Sequence, residues 1–87
     1  MDDRRLDGNA IGGILHEIFA PEMTAAVGTC ASCGAVNEVG RVHVYVHAPG
    51  TVVRCPDCEA VLMRVVHGKG RYWLDLTGVR SLELAEA

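Results

Sequence analysis

Cys30-Ala31-Ser32-Cys33-Gly34 and Cys55-Pro56-Asp57-Cys58 decide how the rest of this 87-residue sequence is read. The two C-x-x-C pairs are separated by 21 residues, one beyond the ~15–20 common in zinc sites and a small excess for a hairpin of variable length. Two residues between cysteines let both sulfurs of a tight turn point at one ion. Gly34 permits a positive φ just after the second sulfur, where backbone amides can turn toward the thiolates. Pro56 fixes φ inside the second turn. A tetrahedral set of four thiolates suits Zn²⁺ or a single iron. The competing readings are two disulfides or free core thiols. Disulfides fit poorly, because the acidic opening Met1-Asp2-Asp3-Arg4-Arg5 and the His16-Glu17 interruption of Ile11–Ala20 do not resemble an export signal. A redox C-x-x-C leading into a helix of an α/β unit does not resemble two such pairs in one short chain. The expectation is therefore a cytoplasmic protein with one structural Zn²⁺ on Cys30, Cys33, Cys55 and Cys58.

The segments around the cysteines read as strands. Val42, Val44 and Val46 alternate with Arg41, His43, Tyr45 and His47, a period of two. Ala48-Pro49-Gly50 suits a type II turn, and Thr51–Arg54 returns into the second cysteine pair. Ala60–His67 is a further apolar strand, and Tyr72, Leu74 and Leu76 alternate with Arg71, Trp73 and Asp75. A turn with Gly68-Lys69 at its centre would pair His67 with Gly70, Val65 with Tyr72, Met63 with Leu74 and Val61 with Leu76. That register sets Arg64 directly across from Trp73, a guanidinium over an indole. Met23–Thr29 is expected as the strand into the first knuckle, and residues 78–87 as a short last strand and tail.

Ahead of the knuckles, Ile11, Ile14, Leu15, Ile18 and Phe19 form one stripe of a helix spanning residues 8–20. Asp7 or Asn9 can cap it, and Pro21 suits a stop after Ala20. Such a helix does not persist alone in water, so it is expected to dock, preferably on its own sheet. With aromatics at 5% of the chain and no room for a second core, the expectation is one domain over residues 1–87. The fold class is small and mostly β: a zinc ribbon of antiparallel hairpins with two C-x-x-C knuckles, the ribbon sheet running over residues 23–77, preceded by one amphipathic helix.

Taken as a whole, the chain resembles a family of small uncharacterised actinobacterial zinc-ribbon proteins. The resemblance is carried by Leu6–Ala10, Glu17–Ala20, Glu22–Ala26, Gly28–Ala35, Pro49–Cys55 and Gly78–Leu82. It implies a zinc ribbon and supplies no activity.

Little else points to chemistry. His43 and His47 lie two pleats apart on one strand face, roughly 13–14 Å, too far to share one ion. Together with His16 and His67 they read as surface histidines. Four cysteines close the shell that a catalytic zinc leaves open, and no nucleophile triad or phosphate-cradling loop is present. The chain is expected not to be an enzyme. Its net charge of −3 argues against a domain built on phosphate contacts, and its apolar runs fall short of a membrane span. Three functional readings follow, taken in this order. The first is a protein-binding module or accessory subunit with Arg64, Arg71 and Trp73 as the contact residues. The second is a nucleic-acid-binding ribbon, with Arg54, Arg64, His67, Lys69 and Arg71 toward the hairpin and Tyr72 and Trp73 able to stack on bases. The third is a rubredoxin-like iron protein for electron transfer.

Overall fold

The Val42–Val46 alternation becomes a sheet strand in the computed structural model, which describes residues 6–19, 23–47 and 50–84. The elements in chain order are β1 (Leu6–Asp7), α1 (Asn9–Phe19), a 3₁₀ turn (Met23–Ala25), β2 (Val27–Cys30) and β3 (Val36–Glu38). A second 3₁₀ turn (Val39–Arg41), β4 (His43–His47), β5 (Gly50–Arg54), β6 (Val61–Gly68), β7 (Arg71–Asp75) and β8 (Val79–Glu83) follow. They form two antiparallel sheets, one of order β1-β4-β5-β6-β7 and one of order β3-β2-β8.

The pleat sorts the larger sheet into an inner and an outer face. Val44 pairs with Val53 and Val53 with Met63, while Thr51 pairs with Val65, and all five side chains are buried. Ile11 and Leu15 of α1 join them in one core with Met23, Ala26, Val39, Val42 and Leu62. The helix stripe thus docks within the chain through Ile11 and Leu15, with Ile14 packed partly against the same core. The Phe19 side chain, the helix end at Ala20 and the turn residues Ala48-Pro49 lie outside the described residues. Asp7 caps the helix, its Oδ1 accepting the Asn9 N–H at 3.0 Å.

Two sequence expectations are corrected. Met23–Thr29 is not one strand, because Met23–Ala25 closes a 3₁₀ turn with the Ala26 N–H donating to the Met23 carbonyl at 3.1 Å. Only Val27–Cys30 is extended. The β6–β7 turn is centred on Lys69-Gly70, not Gly68-Lys69, and it closes on the pair Gly68–Arg71. Both central residues have positive φ, 53° and 71°, the type I′ geometry whose twist matches a hairpin, with Gly70 in its second central position. The partners therefore slide by two residues along the strand. Trp73 lies across from Val66, and Arg64 lies across from Asp75, so the direct Arg64–Trp73 pair does not form. Because the slip is even, both side chains keep the outer face. The expected short C-terminal strand is β8, an edge of the second sheet paired with β2.

Gly78 forms part of the seam between the sheets. Its N–H donates to the Leu62 carbonyl of β6 at 3.1 Å, and its carbonyl accepts the Ala31 N–H at 2.9 Å. A Cβ at this position would stand 1.9 Å from the Val61 carbonyl oxygen, so only glycine allows the approach. Gly13, in the exposed part of α1, has nothing within 4 Å of such a Cβ. Gly78→Ala is expected to cost about 3 kcal/mol, whereas Gly13→Ala should add about 0.5–1 kcal/mol through helix propensity. Equilibrium denaturation of the two variants checks both signs.

Candidate metal centre

Each cysteine pair follows a strand that bulges just before it. The β2–β8 register shifts between Thr29 and Cys30, and the β5–β6 register shifts between Val53 and Arg54, the residue before Cys55. A bulge bends its strand out of the ladder, and here it turns the chain into the knuckle. The two knuckles then repeat the same backbone bonds. Gly34 N–H donates to the Cys30 carbonyl and Glu59 N–H to the Cys55 carbonyl, both at 2.9 Å. Cys30 N–H donates to Ala35 and Cys55 N–H to Ala60, again at 2.9 Å.

The turns carry four sulfurs into one cluster. Cys30 Sγ is 3.8 Å from Cys58 Sγ, and Cys33 Sγ is 3.7 Å from Cys55 Sγ. All four lie within 4.8 Å of one another. A tetrahedral ion with metal–sulfur bonds of about 2.3 Å has sulfurs about 3.8 Å apart along each edge, so the donor set fits a single ion. None of the four is in a disulfide. Among the described residues this is the only group of three or more His, Cys, Asp or Glu whose ligand atoms could share an ion. One pair extends the three-stranded sheet and the other joins β5 to β6 of the five-stranded sheet. An ion here ties the sheets together. Asn37 of β3 adds a side-chain link, its Nδ2 donating to Asp57 Oδ2 at 2.9 Å.

Backbone amides supply the local electrostatics. Cys30 Sγ accepts the N–H groups of Cys33 and Ser32 at 3.5 and 3.4 Å, Cys33 Sγ that of Ala35, and Cys55 Sγ that of Asp57. The Cys33 amide, with the Ser32 amide adding to it and burial opposing both, brings the Cys30 thiol down to about 7. For Cys33 the Ala35 amide pulls downward, yet burial and the three neighbouring sulfurs outweigh it and push the thiol up to about 12. Burial raises Cys55 as well. Such a cluster keeps protons until a cation replaces them.

Glu59 is the residue that sequence reasoning missed. It occupies the position equivalent to Gly34, and its φ of 64° is left-handed like the 78° of Gly34. A side chain there costs roughly 1–2 kcal/mol. Its carboxylate meets His43 Nδ1 and the Tyr45 hydroxyl, and its carbonyl accepts Arg54 Nη1 at 2.8 Å. Aligning Cys33-Gly34-Ala35 with Cys58-Glu59-Ala60 would have flagged it. His43 thus serves the second knuckle's outer side, and His67 stacks on Tyr72 with ring centroids 4.1 Å apart. Tyr72 in turn donates to Glu17 of α1 at 2.7 Å, a bond that raises its phenol above the ordinary range.

Arg64, Arg71 and Trp73 all sit on the outer face of the β6–β7 hairpin. Trp73 is 51% exposed, Arg71 is exposed, and Arg64 Nη1 stands 3.6 Å from Asp75 Oδ2. The Thr77 hydroxyl and N–H, with Arg64 adding to them, hold the Asp75 carboxyl below its usual range.

A family model matches residues 2–87. The chain belongs to DUF6510, a family of unknown function. No curated protein and no solved structure matches the chain. No helix among the described residues is long and apolar enough to cross a membrane.

Two outcomes follow from the knuckle geometry. Titrating Co²⁺ or Zn²⁺ into the metal-free protein at pH 7, in two buffers of different ionisation enthalpy, should show release of at least about two protons per ion. Affinity should fall as pH falls, since protons and metal compete for the same sulfurs; release of less than one proton would contradict the protonated cluster. At saturating metal, Glu59→Gly should melt about 4–8 °C above Glu59→Ala, because only glycine escapes the left-handed penalty. Equal melting would remove the strain at this position.

Proposed function

We propose that this member of DUF6510 is a structural zinc ribbon, cytoplasmic and without enzymatic activity, that serves as a protein-binding module or accessory subunit. The carrying observation is the closed four-sulfur cluster at the seam of two sheets. Four thiolates leave the ion no position for a substrate or water, which suits a staple and not a catalyst. Zinc is the reading preferred over iron because the described residues place few aromatic rings near the cluster. Cys30 and Cys55 adjoin Ala, Val, Leu and Met side chains. With the inner sheet face filled by α1, the outer face is left for a partner, and Arg64, Arg71 and Trp73 are its contact residues. An exposed Trp beside arginines is the composition of an interface anchor.

The same arginine–aromatic grouping favours nucleic acid as the second reading, against which stand the net charge of −3 and the Asp75 carboxylate beside Arg64. Elemental analysis of gently purified protein is expected to find one zinc per chain; one iron and a red colour would turn the reading to a rubredoxin-like carrier. Binding worth roughly 10–16 kcal/mol exceeds the stability of a small domain, so chelation should abolish the sheet signal in circular dichroism. A photo-crosslinking residue in place of Trp73, in the source cell, should form an adduct with protein. Nucleic-acid adducts, with binding that weakens steeply as salt rises, would favour the second reading.

A further inference from the structure

β7 closes one side of the five-stranded sheet, and among the described residues no strand pairs with its outer edge. In a hairpin closed by a two-residue turn, the flanking pair Gly68–Arg71 is the hydrogen-bonded one. Alternation then turns the backbone groups of Arg71, Trp73 and Asp75 toward β6, and those of Tyr72 and Leu74 toward the open edge. Proteins usually block such an edge with a proline, a bulge or an inward-pointing charge. β7 reads Arg-Tyr-Trp-Leu-Asp, runs against β6 without a register shift, and points Tyr72 and Leu74 inward. Trp73, Leu74 and Leu76 are 51%, 36% and 37% exposed, so the open edge is also an apolar one.

The order of residues along β7 says what fits it. We propose that a second copy of this chain pairs antiparallel along β7, about a two-fold axis passing beside Trp73. In that register Trp73 opposes Trp73 of the second copy as a non-hydrogen-bonded pair, the kind that brings side chains closest. Tyr72 exchanges both backbone bonds with Leu74 of the second copy, using the N–H and C=O groups that face outward. Arg71 falls across from Asp75 of the second copy, and Asp75 across from its Arg71, so the two charges at the strand ends are satisfied twice over. Asp75 already has Arg64 at 3.6 Å and Thr77 on its other oxygen, and a carboxylate has acceptor sites for a further guanidinium. Centring the pairing on Tyr72 would set Arg71 against Trp73, and centring it on Leu74 would set Asp75 against Trp73. Neither sets Arg71 across from Asp75. A strand whose charges and outward amides are complementary to themselves about one residue fits its own copy. The result is a continuous sheet of ten strands, twice the five of one chain, with both helices on the same side. The proposal rests on the partner face read above and names the partner as a second copy.

Charge reversal isolates the register. Sedimentation equilibrium of the full, metal-loaded chain should give a mass twice the 9.3 kDa of one copy at high protein concentration. R71D puts two carboxylates on the edge and D75R two guanidinium groups, so each alone should raise the dimer dissociation constant about tenfold or more. Mixed in equal amounts, the two variants should recover the dimer as a heterodimer, and the double variant R71D/D75R should recover it alone. Retained metal and an unchanged melting curve report that each variant is folded; should D75R fail this check through loss of its Thr77 bonds, R71D and the double variant still test the register. A wild-type chain that stays monomeric at all concentrations overturns the dimer while leaving the protein-binding reading to the Trp73 crosslink. A dimer indifferent to R71D overturns the β7 interface.

Discussion

Four sulfurs held within 4.8 Å of one another are the constraint on which this chain depends. Thiolates at that distance repel, and the conflict is visible in Cys33, whose proton is retained to about 12 by burial and its sulfur neighbours against the pull of the Ala35 amide. A cation bound by the four sulfurs would resolve the conflict and, in doing so, would fasten the end of β2 to the β5–β6 connection. The shared core, with Cys30 of β2 among its members and Val79 and Leu82 of β8 packed against it, and individual hydrogen bonds also join the two sheets. The Gly78 seam and the Asn37–Asp57 link act beside it.

The two knuckles solve one geometric problem with different residues. The first meets the left-handed requirement with Gly34, which has no side chain to strain; the second meets it with Glu59 and holds the strained residue with contacts from β4 and β5. That grip joins the metal turn to the outer sheet face through His43, Tyr45 and Arg54. Strain of this kind persists where surrounding groups over-determine it, and here those groups are polar and reachable from solvent.

The helix sets which face of the large sheet meets the outside. Ile11 and Leu15 fill the inner face, and Tyr72 bonds Glu17 across from helix to hairpin. Trp73, on the other side of the same strand, is left half exposed in a domain with a single tryptophan. Its setting between Arg71 and the Arg64–Asp75 pair makes that face mixed in charge, a character that suits recognition of a protein more than of a polyanion.

Much of the fold was legible because it is written in short-range pattern. The C-x-x-C pairs identified all four members of the cluster, the valine alternation identified β4, and the 3.6-residue stripe identified α1, of whose five stripe residues Ile11 and Leu15 are fully buried. The hairpin register was not legible, because Gly68 and Gly70 both offer a plausible turn and only the pairing of two whole strands chooses between them. Glu59 was obscured for a related reason: only its alignment with Gly34 marks the left-handed position, and its partners His43, Tyr45 and Arg54 are 16, 14 and 5 residues away. The division into two sheets, with β8 returning to β2, likewise joins segments about fifty residues apart. Local periodicity and ligand spacing are properties of neighbouring residues, so the sequence by itself determined the elements and the four sulfurs. Register, strain and the choice of exposed face are set by contacts between distant segments, and those only the tertiary structure could decide.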